Sequence, residues 1–389
     1  MRIGVFSDSY RPYTSGVVTS ICTLKEQLHK LGHEVFIFAP GYPNYHDDES
    51  NIHRLLSIPA PTNRDFTLAL PVSPRVSLLA RKLKLDIVHV HSPFILGQIG
   101  AKCARRLELP LVFTYHTQYD QYAHYVPIGQ ELARDLTVKY SRNFCNRCDL
   151  VIAPSDDLRQ LIMSYGVNVP IDVIPTGVDV ERFSSGDKLW LRKKYNIPNT
   201  YRICLFVGRL APEKNIDFLI KAFANVKHVY ETVCLVIVAT GPLEKELKKL
   251  AIEEGLQLGR DIIFTGLLPS DNLVNAYCGA DIFTFTSLSE TQGIVLAEAM
   301  AAGLPIAAVE GTGTHEMVEN GRQGLLSAYE LDSYGAIILR LLSEQNLYSD
   351  LAVQAPARAA ELSAEIMASR IETRYRELAL VKRLSPQTC

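Results

Sequence analysis

The sequence predicts an α/β protein made of two facing Rossmann-like domains. Three observations carry that expectation. Short β-branched runs alternate with helical patterns, as in a parallel sheet covered by helices. The alternation halts at a turn-rich stretch, "PTGVDVERFSSGD" (175–187), and then restarts. A chain of 389 residues also exceeds what one hydrophobic core serves.

The first series of strands is "RIGVF" (2–6), "EVFIFAP" (34–40), "DIVHVHS" (86–92), "LVFTYHT" (111–117), "DLVIAPS" (149–155) and "DVIPTG" (172–177). Helical stretches such as Val17–Leu31 and Phe94–Leu107 lie between them. The second series is "RICLFVG" (202–208), "CLVIVATG" (234–241), "DIIFTG" (261–266), "DIFTFTS" (281–287) and "PIAAVEG" (305–311). No short-period repeat accompanies the restart, so the likeness of the halves is architectural. From Leu331 onward the tail is helical and ends in "IETRYRELALVKRL" (371–384). The expected domains are 1–178 and 179–365, with a C-terminal helix, 366–389, packing back on the first. Ligands of such sheets bind outside the carboxyl ends of the strands, so the expected site is a deep cleft between the two domains.

Composition excludes several classes. With 47% hydrophobic and 21% charged residues the chain is neither disordered nor an integral membrane protein. A formal net charge of -2 carries no nucleic-acid signature. The apolar stretch in "MRIGVFSDSY" is too short for a signal peptide, and no run approaches the roughly 18 apolar residues of a spanning helix, so a cytoplasmic location is expected. The eight cysteines are scattered, with Cys103, Cys204 and Cys234 inside apolar segments, as reduced core residues would be. Cys145 and Cys148 form a C-x-x-C that lacks the second pair or nearby histidines of a zinc site and precedes a strand, where a redox pair follows one.

The residues after the strands are the chemical candidates. Gly16 opens the helix after the first strand, where it either lets backbone N–H groups approach an anion or serves as a turn glycine. No G-x-G-x-x-G follows that strand and "GTGTHE" (311–316) lacks the third glycine, which disfavours a nicotinamide or flavin dinucleotide, and the absence of a P-loop motif excludes P-loop hydrolysis. Arg209 and Lys214 flank a strand-to-helix turn in "LFVGRLAPEKN", placed to converge on a polyphosphate or else to be solvated charges. In "SETQG", Ser289 and Gln292 have the spacing of a capping box. Glu290 and the N–H groups around Gly293 could meet sugar hydroxyls. Glu298 sits among Leu296, Ala297, Ala299 and Met300 with no basic partner nearby in sequence, and a ribose diol would supply the donors that burial demands. His116 ends a strand as a candidate donor to a ligand hydroxyl or as a structural histidine, and Tyr119, Tyr122 and His124 form either an acceptor groove or a half-buried aromatic face.

Taken together, "SGVV", "YHT", "IPTGVD", "VGRLAPEKN", "FTG", "SETQGIVLAEAMAAGLP" and "GTHEMVENGRQGLL" resemble the family 4 retaining glycosyltransferases, in the family's order from residue 1 to about 327. The resemblance implies the GT-B fold. It implies that Gly16 and the amides after it approach the donor diphosphate and that Arg209 and Lys214 bind it. Glu298 would hold the ribose, Leu268 would flank the base, and Glu290 would face the transferred sugar with backbone contacts from Gly293, Ile294 and Val295. His116 would contact the sugar. Retention in this family is described as attack on the face from which the leaving group departs, the diphosphate helping to deprotonate the acceptor. No D-x-D pair follows a strand, so no metal or other cofactor is required; the nucleotide sugar is a co-substrate.

Gln292 stands where many relatives carry Phe, and Ser15-Gly16 where many carry two glycines. These features are similar to the branch that glucosylates diacylglycerol, with mannosyl-transferring relatives nearby. The resemblance therefore implies a hexosyltransferase that moves glucose from UDP-glucose to 1,2-diacylglycerol, peripheral on the inner face of the membrane. The alternatives are a UDP- or GDP-sugar transferase with another lipid, soluble or polysaccharide acceptor, and a non-catalytic nucleotide-sugar binder. A lipid acceptor calls for an anionic membrane surface as partner. "SPRVSLLARKLKL" (73–85) offers Arg75, Arg81, Lys82 and Lys84 around Val76, Leu79 and Leu83, either a membrane-lying helix or a core-facing one with a solvated side.

Overall fold

The computed structural model describes residues 1–60, 66–70, 74–119 and 130–384, and of residues 74, 75 and 130 the backbone alone. The chain divides into two compact units, the first formed by Met1–Gly177 and Ala364–Cys389, the second by Val178–Ser363.

In the first unit, β1 (Arg2–Phe6), β2 (Glu34–Pro40), β3 (Ile52–Leu55), β4 (Ser57–Pro59), β5 (Thr67–Ala69), β6 (Ile87–Val90), β7 (Leu111–Thr114), β8 (Leu150–Ala153) and β9 (Ile171–Val173) alternate with α1 (Gly16–Lys30), α2 (Pro74–Lys82), α3 (Ile95–Leu107), α4 (Gln130–Cys145) and α5 (Asp156–Ser164). Seven strands form one parallel sheet in the order β3-β2-β1-β6-β7-β8-β9, and β4 pairs with β5 antiparallel. Both faces of the sheet are covered, which is why its strands read as near-continuous apolar runs. Val88, Val90, Phe113 and Val151 face one core. Ile87, Val112 and Ile152, one residue out of phase, face the other, under α1 and the final helix of the chain.

The helix α2 settles one choice left open by its sequence. Val76 and Ala80 are buried, with Leu79 and Leu83 packed against the same core, and of its apolar residues Leu78 is the one left outward, 66% exposed. The apolar stripe thus faces the protein interior. Arg81, Lys82 and Lys84 remain exposed, so this element offers charge to its surroundings and no insertable face. The side chain of Arg75 lies outside the described residues.

In the second unit, β10 (Arg202–Arg209), β11 (Val233–Thr240), β12 (Ile262–Phe264), β13 (Ile282–Phe285), β14 (Ile306–Val309) and β15 (Gly324–Ser327) form a parallel sheet in the order β12-β11-β10-β13-β14-β15. Its helices are α6 (Val180–Ser184), α7 (Trp190–Tyr195), α8 (Ile216–Val229), α9 (Glu244–Glu253), α10 (Ser270–Gly279), α11 (Ile294–Ala301), α12 (Thr314–Met317), α13 (Leu331–Ser343) and α14 (Gln345–Glu361). The last helix, α15 (Ala364–Leu384), belongs to the first unit, where Met367, Ile371 and Tyr375 join the core formed by Ile3, Val5 and Ile87.

Strand order reverses between β1 and β6 in the first sheet and between β10 and β13 in the second. Loops leaving the sheet on opposite faces part at such a point and open a crevice at the strands' carboxyl ends. Each unit therefore has one place where a ligand is expected.

Candidate active site

At the switch point of the second unit, the turn after β10 is stitched to the loop after β13. Asn215 Nδ2 donates to the Thr286 carbonyl at 3.0 Å, Thr286 Oγ1 to the Lys214 carbonyl at 2.8 Å, and Ser287 Oγ to the Glu213 carbonyl at 3.1 Å. These bonds hold Lys214 beside Glu290, and the two side chains form a partly buried ion pair. Arg209, at the carboxyl end of β10, is exposed and makes no ion pair among the described residues. A cation ready for an anion thus stands near a second cation already held by a carboxylate.

The expected capping box does not form. α11 begins at Ile294, with Gly293 as its cap at φ +78°, while Ser289 forms a bridge with Thr312. The left-handed backbone is one that glycine adopts without strain, and it ends the loop so that the first N–H groups of α11 point out of the helix start. The glycines of "GTGTHE" serve this loop from below. A Cβ on Gly313 would lie 2.8 Å from the Glu290 carbonyl oxygen, and Thr312 Oγ1 donates to the Leu288 carbonyl at 3.0 Å.

Glu298 lies one helical turn beyond Ile294, on the same face. It is 7% exposed, and burial pushes its carboxyl up to about 7, with a hydrogen bond from Tyr277 and the charge of Arg182 acting in the opposite sense. Its sequence neighbourhood lacks a partner, but the fold supplies one: Tyr277 of α10 donates to Oε2 at 2.7 Å. Tyr277 uses one carboxylate oxygen, which leaves the other as the atom a diol would meet. Leu268 is half-buried after β12 and packs on the unit's core.

The first unit has its own cluster. Asp8, just past β1, accepts from Leu96 N at 2.9 Å through Oδ1 and from the Ser92 hydroxyl through Oδ2, tying the loop after β1 to the start of α3. Burial raises the Asp8 carboxyl, against the pull of those hydrogen bonds. α1 is capped by Ser15, whose Oγ accepts from Val18 N at 3.3 Å. A Cβ on Gly16 would meet nothing within 4 Å. The protein's own packing therefore leaves room for a side chain at Gly16.

His116 follows β7 and its Nε2 lies 2.8 Å from His91 Nδ1. Below them, His89 Nε2 lies 2.7 Å from Thr114 Oγ1, and the Tyr375 hydroxyl 2.6 Å from His89 Nδ1. Sequence reasoning named His116 alone of this group. The available signal was the period of two in "HVH" and "TYH", which puts all four residues on one face of the sheet. Tyr119 packs edge-on against Phe94, with ring centroids 5.2 Å apart. Tyr122 and His124 lie outside the described residues. Cys145 and Cys148 are buried thiols raised by burial, and Cys148 Sγ lies 3.5 Å from the Phe144 carbonyl, a core arrangement.

Known proteins agree with this layout. Residues 14–182 match the model described as Glycosyltransferase Family 4, and residues 187–358 the one described as Glycosyl transferases group 1. A protein named alpha-monoglucosyldiacylglycerol synthase from Streptococcus pneumoniae (strain ATCC BAA-255 / R6) is 35% identical over 382 residues, covering 96% of this chain and 85% of that one. Another of the same name from Acholeplasma laidlawii is 31% identical over 394 residues, covering 97% of each. Among solved structures, Anabaena HepE in complex with UDP and glucose aligns with a TM-score of 0.78 at 20% identity, over 97% of this chain and 100% of that one. The fold is of the GT-B class.

Proposed function

Because this chain belongs to glycosyltransferase family 4, we propose that it moves glucose from UDP-glucose onto 1,2-diacylglycerol with retention of anomeric configuration, working peripherally on the inner face of a membrane. The observation that carries the reading is similarity along nearly the whole chain to two proteins named alpha-monoglucosyldiacylglycerol synthase.

In this reading the second unit grips the donor. Arg209 and Lys214 neutralise the diphosphate, Glu298 takes the ribose hydroxyls, Leu268 flanks the base, and Glu290 with the N–H groups of Gly293, Ile294 and Val295 meets the hexose. Gly16 and the amides after it approach the diphosphate, and His116 contacts the sugar. The acceptor hydroxyl attacks the anomeric carbon on the face from which UDP departs. The bond from that carbon to the diphosphate oxygen breaks, and the acceptor's proton passes to the departing diphosphate. Charge stabilisation and positioning supply the rate. No metal has a part in these steps.

Two features support a lipid partner. A surface cavity of about 400 Å³ is lined by Arg81, Lys84 and Arg106 together with Leu85, Leu107, Leu109 and one acid, Glu108, and its excess of basic groups suits an anionic headgroup. On α4, Leu132 and Leu136 are 65% and 57% exposed one turn apart, with Tyr140 a turn further on. No helix among the described residues is long and apolar enough to cross a membrane.

The test is a donor screen with purified protein and vesicles of diacylglycerol and anionic phospholipid, with products read by mass and their anomeric configuration by NMR. We expect an α-glucosyl-diacylglycerol from UDP-glucose, unchanged by EDTA. Product from GDP-mannose alone, or on a soluble acceptor alone, would replace this assignment. Co-sedimentation with anionic vesicles should weaken when Arg81, Lys82 and Lys84 are all changed to Glu.

A further inference from the structure

The reading above gives His116 a place at the sugar but does not say what fixes its ring or its proton. Ile87, His89 and His91 follow one another on one face of β6 and its extension, as Val112, Thr114 and His116 do on β7. The lowest pair, Ile87 and Val112, belongs to the apolar core under α1 and α15. The middle pair is polar: His89 is clamped between Thr114 Oγ1 at 2.7 Å and the buried Tyr375 hydroxyl at 2.6 Å. The top pair is His91 and His116. The His91 ring lies 4.2 Å from that of His89, and 5.1 Å from that of His116 at an interplanar angle of 16°. His91 is 1% exposed and His89 is fully buried.

We propose that His91 is a positioning residue that holds His116 in its Nδ1–H tautomer, with His89, Thr114 and Tyr375 forming the floor on which His91 rests. His91 Nδ1 and His116 Nε2, 2.8 Å apart, share one proton. Burial pushes His116 down to about 4, His89 to about 3, and His91 well below its ordinary value, so near pH 7 each ring is neutral and carries a single N–H. If His91 donates, His116 keeps its proton on Nδ1 and the bare nitrogen of His91 is Nε2. If His116 donates, His91 must carry its proton on Nε2, which is buried and meets no hydrogen-bonding partner among the described residues. A buried orphan N–H is rarer and costlier than a buried orphan lone pair. The first arrangement therefore holds, and His116 is a hydrogen-bond donor at Nδ1.

The tautomer stands on the contacts of the two rings and their neutrality, while its effect on turnover rests on the glycosyltransferase reading. The test uses full-length protein labelled with ¹⁵N-histidine, in which long-range proton–nitrogen correlations distinguish the two tautomers. It is paired with turnover of His91→Asn, whose amide N–H can stand where Nδ1–H stood, and of His91→Phe, which keeps the ring and loses the donor. We expect His116 protonated on Nδ1 in the native protein. We expect His91→Phe to lower kcat on UDP-glucose and diacylglycerol vesicles by about 10- to 100-fold with KM for the donor little changed, and His91→Asn to recover most of the loss. His116 protonated on Nε2, full kcat in His91→Phe, or His91→Asn as slow as His91→Phe would each overturn the assignment. The native spectrum decides the tautomer even where a variant does not fold. A protein that shows the Nδ1–H tautomer but transfers no sugar would sink the enzymatic reading and leave the tautomer standing.

Discussion

The hydroxyl of Tyr277 and Oε2 of Glu298 stand 2.7 Å apart inside the second unit, the tyrosine fully buried and the glutamate nearly so. A hydrogen bond to a charged group contributes about 1.5–3 kcal/mol, and here it also aims the carboxylate. Tyr277→Phe should therefore weaken UDP-glucose binding by about tenfold or more, measured by titration calorimetry. A native Kd in that variant would remove Glu298 from the ribose.

With Glu298 on the ribose as proposed, donor binding should depend on pH. Burial raises Glu298 from its ordinary 4.5 to about 7. A carboxyl raised on folding favours the folded state at low pH, so this group's contribution to stability is present below pH 4.5 and is lost as pH rises through 7. Ribose hydroxyls donate best to the ionised form. Between pH 6 and pH 8 the ionised fraction rises about tenfold, so Kd for UDP-glucose should tighten about tenfold, with proton release on binding falling from about 0.9 at pH 6 to about 0.1 at pH 8. Glu298→Gln should bind weakly and show no such slope.

Lys214 and Glu290 form an ion pair, and in the proposed reading the lysine meets the diphosphate and the glutamate the hexose. Lys214→Ala should lower kcat by about 10²- to 10³-fold, the loss typical of one donor to a developing anion. Glu290→Ala should bind UDP as the native protein does, yet lose the preference for UDP-glucose over UDP. Equal losses for both ligands would place Glu290 away from the hexose.

Gly16→Ala separates folding from binding. With nothing within 4 Å of the added Cβ, and alanine the better helix former, the melting temperature should hold or rise slightly. Affinity for UDP should nevertheless fall, because the methyl group occupies the anion's approach. Unchanged affinity would make Gly16 an ordinary turn residue.

Most of both sheets was legible because buried parallel strands write themselves as uninterrupted β-branched runs. β2 matches "EVFIFAP" from end to end. β3, β4, β5 and β15 were not foreseen; they are three or four residues long, and the first two have no buried position. Among candidate residues, Gly16, His116, Arg209, Lys214 and Glu290 were readable because they lie at or just after the carboxyl ends of strands. Tyr277 and Tyr375 were not, since what makes them matter is a partner 21 and 286 residues away. The capping box misled because Ser289 and Gln292 have the right spacing, while a glycine further on sets the true helix start.

The return of α15 to the first unit bears on how the molecule is made. A nascent polypeptide that has emerged only as far as residue 363 holds all of the second unit, which is contiguous, but lacks Met367, Ile371 and Tyr375 from the core that the earliest residues build. The half translated first is thus the half finished last, and until its closing segment leaves the ribosome, Ile3, Val5 and their neighbours present an apolar face of the kind that chaperones hold.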